Sequence, residues 1–296
     1  MNLTLSRGHF ALPADASWLR QRAICPSTRR ITPTDPGQPR AFARRHGAYR
    51  ATNEKQTHEK HMGQQRCIDP EWLDQLPASD PRAIRSRRDL KRINAVLSHT
   101  GIMARGLRRC LDKPRALVDL GAGDGTFMLG LARRLASRWQ NVTVILVDRQ
   151  DIVSVATRDA FAKLGWKIET VTADLFDFLE QKPSRQIDGI TANLFLHHLT
   201  SEQLARLFAT AAQSAQLFMA CDPRRTAWVR ESSRLLWALG CNDVSVHDAV
   251  VSARAGFRGK ELSGLWPTRE RWHLREREAG LFSHMFVAQR ARSATI

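Results

Sequence analysis

Long apolar runs are missing from this chain. No stretch of the 296 residues reaches the ~18 consecutive apolar positions that a membrane-spanning helix needs. The longest runs are strand-sized and broken by Asp, Gly or Asn. A soluble protein is expected, and the cytoplasm is the expected location. Cysteine is sparse as well. The five residues Cys25, Cys67, Cys110, Cys221 and Cys241 are odd in number and widely spaced. No CxxC pair and no His/Cys cluster offers a zinc tetrahedron, so no metal is expected, and a reducing compartment suits buried thiols acting as small apolar side chains. Lysine is the third shortage. Only eight of the 46 basic residues are lysine, so the net charge of +17 is an excess of arginine. Residues 1–66 hold 12 Lys and Arg against 4 Asp and Glu, giving +8, and the other 230 residues carry +9. Arginine scattered over helix faces reads as a solvated surface, which argues against a nucleic-acid footprint.

Residues 1–66 also lack any sustained period of 2 or 3.6. Pro26-Ser27-Thr28-Arg29-Arg30 and Thr32-Pro33-Thr34-Asp35-Pro36-Gly37 are typical of the segment. Such a stretch buries too little apolar surface to offset its ordering entropy. It is expected to be disordered, or to precede the real start at Met62. Its arginine richness suits a transit peptide, but it has neither an amphipathic helix nor a secretory apolar region. The domain is expected over 67–296, with a helical lid at 69–113 and the core at 114–296. Ser79-Asp80-Pro81 marks a helix start, with a cap followed by Pro at the first turn. Ala83, Leu90, Ile93 and Leu97 then share one face. A second helix is expected from about Gly101 to Leu111.

From residue 116 apolar runs alternate with amphipathic stretches, the pattern of a parallel sheet covered by helices on both faces. Strands are expected at 116–120, 142–147, 167–173, 187–194 and 216–221. Helices are expected at 126–139, 151–164 and 227–239, and Thr200-Ser201-Glu202-Gln203 is a capping box that opens another. The last two strands, 273–278 and 281–288, are separated by Ala279-Gly280 alone. So short a connection permits only an antiparallel hairpin. The expected fold is α/β: a Rossmann-like doubly wound sheet of five parallel strands, closed by a C-terminal antiparallel hairpin, with N-terminal helices.

The strongest chemical signal is Val118-Asp119-Leu120-Gly121-Ala122-Gly123-Asp124-Gly125-Thr126. Glycines where a strand turns into a helix allow positive φ and close approach of a ligand to the backbone. A dinucleotide site would read GxGxxG and set a pyrophosphate on the helix N-terminus. Here Asp119 and Asp124 bracket the turn. Two carboxylates repel a pyrophosphate but suit a ligand carrying an ammonium and a sulfonium. The second strand ends in Asp148, about 25 residues beyond the glycines, where a carboxylate can accept from both hydroxyls of a ribose. The third ends in Ala173-Asp174-Leu175-Phe176, so that Asp174 can accept from an adenine amine while Leu175 flanks the ring. Acidic groups at the ends of three successive strands meet in the crevice where such sheets bind ligands.

In order and spacing, VDLGAGDGTF, VDRQD, TADLFD and ITANLFLHHL resemble motifs I to IV of the class I S-adenosylmethionine-dependent methyltransferases. The resemblance covers residues 115–222 closely and the terminal hairpin in outline. It implies S-adenosyl-L-methionine as cofactor, with Asp119, Gly121, Ala122, Gly123, Asp148, Arg149, Asp174, Leu175 and Asn193 as the candidate cofactor-binding positions. Further segments (RRDLKRINAVL, FMACDPRR, HDAVVSARAGFRGKELSGLWP, AGLFSHMFVA) are similar to bacterial methyltransferases of polyketide or quinone-type pathways.

The fourth strand runs into Asn193-Leu194-Phe195-Leu196-His197-His198-Leu199. His198 or His197 has the ordinary pKa for a general base toward a hydroxyl or enol. Neighbouring histidines are expected to point different ways, one of them free to cap the strand or the next helix, and a positioning role is the alternative to catalysis for either. Several acceptors are disfavoured. Amino methylation of adenine uses an Asn/Asp-Pro-Pro-aromatic tetrad, absent at Asn193-Leu194-Phe195-Leu196. Pyrimidine C5 methylation needs a Cys after a Pro, whereas Cys221 precedes Asp222-Pro223. Metal-assisted catechol methylation needs carboxylates at the ends of strands 4 and 5, and only Asp222 is one. The expected partner is a small molecule, methylated most readily on oxygen. An RNA methyltransferase and a non-catalytic cofactor-binding module are the rivals. Trp266 and Trp272 are expected in core or lid packing, and His284 as a satisfied histidine.

Overall fold

The structure, a computed structural model, describes residues 65–181 and 186–291. The chain divides into units 1–60 and 61–296. The first, and with it nearly all of the expected extension, lies outside the described residues. The second is built on one seven-stranded sheet in the order β3-β2-β1-β4-β5-β7-β6. Its strands are β1 (Ala116–Leu120), β2 (Thr143–Asp148), β3 (Lys167–Thr172), β4 (Ile187–Asn193), β5 (Ala215–Pro223), β6 (Trp272–Ala279) and β7 (Ser283–Arg290). β1 to β5 pair in parallel, while β7 runs antiparallel against both β5 and β6. The order reverses between β1 and β4, the switch point at which a crevice opens beyond the strand ends.

The helices are α1 (Trp72–Gln75), α2 (Pro81–Val96), α3 (His99–Cys110), α4 (Thr126–Leu135), α5 (Val155–Lys163), α6 (Leu175–Glu180), α7 (Ser201–Ser214), α8 (Ala227–Ser233), α9 (Asp243–Ala255) and α10 (Glu261–Leu265). Alternate residues of β1 feed two cores. Val118 and Leu120 join Phe208, Phe218, Trp266 and Phe286 under α7 and α10. Leu117 joins Met103, Leu107, Leu131 and Leu146 under α3 and α4. Trp266 lies 5.0 Å from Trp272, edge to face, so both tryptophans are core as expected. At about 1.5–3 kcal/mol for each fully buried large side chain, these two cores dominate the stability of the unit.

Two elements differ from the sequence reading. The helix expected over 227–239 is α only to Ser233 and continues as a 3₁₀ turn from Arg234 to Leu239. In α2 the start is as expected: Asp80 caps through Arg82 N, with Pro81 in the first turn. Of the expected apolar face, however, only Ala83 is buried, joined by Ser86 and Asp89. The reason is a polar seam with α9. Asp89 Oδ2 accepts from Asn242 N (2.9 Å) and Ser245 Oγ (3.1 Å), and Ser245 Oγ also reaches Ser86 Oγ (3.0 Å).

Candidate active site

The turn after β1 is shaped by Gly121, Gly123 and Gly125, with φ of +65°, +55° and +73°. A Cβ on Gly123 would meet nothing within 4 Å, so the backbone there faces open space, whereas one on Gly121 would lie 2.2 Å from the Phe195 ring. Ala122 is buried and its N–H donates to Val147 O (3.1 Å). Asp148 pins the loop from the next strand, accepting from Gly123 N (2.8 Å) and Gln150 N (2.9 Å). Asp124 accepts from Thr126 N and Oγ1 and pairs with Lys91 of α2 at 2.8 Å. These contacts hold its carboxyl below the usual range despite burial. Asp119 is fully enclosed. Burial pushes its pKa up to about 7, only partly offset by the hydrogen bond from Thr191 Oγ1 (2.6 Å), and the Asp148 charge raises it further.

Asp174 caps α6 by accepting from Phe176 N (2.8 Å), which leaves its second oxygen for another donor. Leu175 is buried in the core beside it. Arg149 is largely exposed and reaches Asp74 of α1 at 3.7 Å. The expected cofactor positions on β1, β2 and β3 therefore lie together at one end of the sheet. An open glycine cradle bordered by carboxylates fits a nucleoside that carries an ammonium and a sulfonium.

The end of β4 is held unusually. Leu194 sits at φ +52°, a region that costs a non-glycine residue roughly 1–2 kcal/mol. Its N–H donates to Cys221 O (2.9 Å), while Phe195 N and His197 N donate to Asp222 Oδ1 at 3.1 and 3.2 Å. Asn193 donates from Nδ2 to Asn94 Oδ1 (3.1 Å), and its Oδ1 lies 2.8 Å from His99 Nδ1. Burial lowers the His99 pKa to about 4, although Asn193 and Asp222 oppose that shift. The strained turn aims β4's end at the crevice, and the α2 and α3 side chains brace it.

The two histidines do not diverge as expected. Their rings lie 4.2 Å apart, tilted by 33°, and both face Glu71, the residue before α1. His197 Nδ1 is 2.8 Å from Asp222 Oδ1 and its Nε2 is 3.2 Å from Glu71 Oε1. His198 Nε2 is 3.9 Å from Glu71 Oε2, and its Nδ1 is 3.7 Å from Asp74. Burial opposes a charge on His197, but the hydrogen bonds to Asp222 and Glu71 outweigh it and raise the pKa to about 9. Glu71 is held down at about 2: burial pulls the other way, and the His198 and His197 charges win. Burial and the His197 charge lower His198. Arg66, its pKa brought down to about 10 by burial first and by Arg225 second, donates to the carbonyls of His197, Leu199 and Ala255.

Glu71, Asp74, Asn94, His99 and Arg66 were not among the sequence candidates. Glu71 and His197 are 126 residues apart, and no local pattern joins them. α1 and α9 also contact one another. Trp72 N and Leu73 N donate to the Asp248 carboxylate of α9 (2.8 and 2.9 Å), and the Trp72 ring stacks on His247 at 3.8 Å. His284 is a buried histidine, with Nε2 2.8 Å from Glu276 Oε1.

A doubly wound sheet of this order carries an acidic, glycine-lined crevice at its switch point, the place where such sheets bind ligands. Residues 117–216 match the family model described as a methyltransferase domain. No curated protein sequence matches the chain. Among solved structures, the plantazolicin methyltransferase BpumL in complex with SAH superposes with a TM-score of 0.53 at 12% identity, covering 81% of this chain and 100% of that one. The plantazolicin methyltransferase BamL, in complex with a triazolic desmethylPZN analog and SAH, superposes with a TM-score of 0.50 at 13% identity, covering 73% and 92%. At these identities the likeness is one of fold. The match therefore shows a methyltransferase domain over residues 117–216, set in a fold shared with these S-adenosylhomocysteine-bound methyltransferases.

Proposed function

We propose that the chain transfers a methyl group to an oxygen of a small-molecule acceptor of phenol, quinone or polyketide character. The acceptor would lie between the end of β4 and the helices of residues 69–113, which act as the lid. The observation that carries this reading is the Glu71–His197–His198 cluster immediately after β4. Phe195 links it to the glycine turn, with its ring packed on Gly121 and 6.4 Å from the His198 ring.

When bound, S-adenosylmethionine supplies a sulfonium methyl that is already electrophilic. The protein's tasks are to align the acceptor and to ease the loss of its proton. Asp148 and Asp174 would hold the ribose and adenine, and Asp119 and the loop from Gly121 to Gly123 the amino-acid end. Arg149, Ala122, Leu175 and Asn193 would complete that surface. The hydroxyl proton would be lost at the cluster, of which His198 is the more exposed histidine, 26% against 3% for His197. The azole analog that BamL carries is compatible with an acceptor of small-molecule kind on this fold.

The test is calorimetric titration of the chain with S-adenosylhomocysteine, with NAD and Asp148→Ala as controls, followed by turnover on phenolic and polyketide acceptors. Binding absent for NAD and lost in the variant is expected. His198→Gln and His197→Gln should cut turnover about 10²–10⁴-fold while cofactor affinity holds. Full turnover in both would overturn the role of the cluster. Tight, salt-dependent RNA binding would favour the RNA rival instead.

A further inference from the structure

We propose that Glu71, His197 and His198 form a binding site for one divalent transition-metal ion of the zinc class. One ligand atom from each of the three side chains lies within 4.8 Å of the others. The carboxylate of Glu71 faces both imidazoles, with oxygens 3.2 Å from His197 Nε2 and 3.9 Å from His198 Nε2. Four-coordinate zinc with ligand bonds of about 2.0–2.2 Å sets its ligand atoms roughly 3.3–3.5 Å apart. With these atoms up to 4.8 Å apart, side-chain movements on the order of 1 Å would close the set. Two imidazoles and a carboxylate are the donor types that zinc-class ions prefer.

The groups behind the ligands support the same reading. A metal-ligating histidine characteristically turns its other nitrogen to a carboxylate or carbonyl, which fixes the ring and directs the free lone pair. Here the His197 ring does so, while the carboxylate nearest the second nitrogen of His198 stands beyond hydrogen-bond length. Asp222 Oδ1 lies 2.8 Å from His197 Nδ1, and Asp74 Oδ2 lies 3.7 Å from His198 Nδ1. Ser252 donates to Glu71 Oε1 and orients that carboxylate as well.

Charge points the same way. Three carboxylates (Glu71, Asp74, Asp222) converge on two imidazoles, and the Asp222 side chain is fully buried with Oδ2 lacking any hydrogen-bond partner. Arg66, the guanidinium at this place, is engaged by three backbone carbonyls. A divalent cation would add to the positive charge that Arg66 and Arg149 bring to these carboxylates. Three protein ligands leave at least one coordination position for water or for an acceptor oxygen. His198, one quarter exposed, gives entry from solvent.

The role of the ion, unlike its binding, rests on the methyl-transfer reading. An acceptor hydroxyl on the open position would give up its proton to solvent more readily, because the cation stabilises the oxyanion. The oxygen would then form its new bond to the methyl carbon as the carbon–sulfur bond breaks.

The experiment uses the full chain, stripped with chelator and titrated with Co²⁺ alone, read by its visible absorption, and with Zn²⁺ in competition with a chromophoric chelator. One equivalent per chain is expected, with affinity falling about 10–100-fold or more in Glu71→Gln and in His198→Gln. Circular dichroism checks that both variants are folded. Asp222→Asn, which keeps the shape behind His197 but not the charge, should also weaken binding about 10–100-fold. No stoichiometric uptake, or uptake equal in wild type and variants as from histidines elsewhere in the chain, would overturn the proposal. S-adenosylhomocysteine binding on the same preparation separates the two readings. Nucleoside binding without metal uptake removes the metal site alone, and metal uptake without nucleoside binding removes the methyl-transfer reading alone.

Discussion

Asp119 shows how one buried carboxyl can carry a functional signal. Enclosed on β1 and hydrogen-bonded by Thr191, it has a pKa raised to about 7 by burial, with Asp148 adding to the shift. An unfolded Asp ionises near 3.9. Between those values the folded chain holds a proton that the unfolded chain has released, so this group's contribution to stability falls as pH rises from about 4 to 7. A ligand ammonium favours the ionised form. Affinity for S-adenosylhomocysteine should therefore tighten as pH rises through 7, by up to about tenfold per unit, and Asp119→Asn should flatten that dependence. Calorimetric titrations of both proteins at pH 6, 7 and 8 make the comparison. Parallel profiles would show that Asp119 does not face the ligand. The position of Asp119 beside the glycines was legible in the sequence. The left-handed Leu194 was not, because no residue type there announces a turn that glycine would make without strain.

Local chemistry decided most elements. The Thr200 capping box forms as the sequence implies: Thr200 Oγ1 accepts from Gln203 N (3.2 Å) and Gln203 Oε1 accepts from Thr200 N (2.8 Å). Thr200→Ala should lower stability by about 1 kcal/mol, within 0.5–2, and Thr200→Ser should restore most of it. Urea unfolding followed by circular dichroism would detect this as a lower midpoint at unchanged slope. Periodicity succeeded for β1, β2, β4 and β5 because strands buried on both faces are rich in apolar residues, and for the edge strand β3 although none of its residues is fully buried. It misjudged α2. Leu90, Ile93 and Leu97 have the helical spacing of a buried stripe, yet Ser86 and Asp89 take the interior because α9 offers them hydrogen-bond partners. A period counts apolar residues and carries no information about a polar partner some 150 positions away.

At the scale of the whole molecule, the C-terminal hairpin closes the sheet and anchors α10 through one buried carboxylate. Glu276 of β6 accepts from Leu262 N (3.0 Å) and Ser263 N (2.7 Å) of α10 and pairs with His284 of β7. Burial opposes its charge, but His284, Ser263 and the amides hold its pKa below the usual range. A depressed carboxyl stabilises the fold above its unfolded pKa of about 4.3 and loses that contribution as pH falls through its folded value. Glu276→Gln should lose about 3 kcal/mol near pH 7, because a buried partner is left unpaired. The gap in urea midpoint between wild type and variant should narrow as pH drops below about 4. A gap independent of pH would assign the loss to packing instead.

The sequence by itself determined the parallel strands, the antiparallel closure and the glycine turn at the end of the first strand. Each depends on short-range facts: glycine at a strand end, an acidic residue closing each of three strands, and a two-residue connection that only a hairpin can use. Tertiary structure alone decided what stands around the end of β4. Glu71 meets His197 and His198, Asp74 meets Arg149, and Asn94 and His99 meet Asn193, all across separations of 75 residues or more. Packing of the N-terminal helices against the sheet creates those contacts. Such packing is selected by the summed burial of many apolar side chains, a quantity that belongs to the folded molecule and to no local stretch of its sequence.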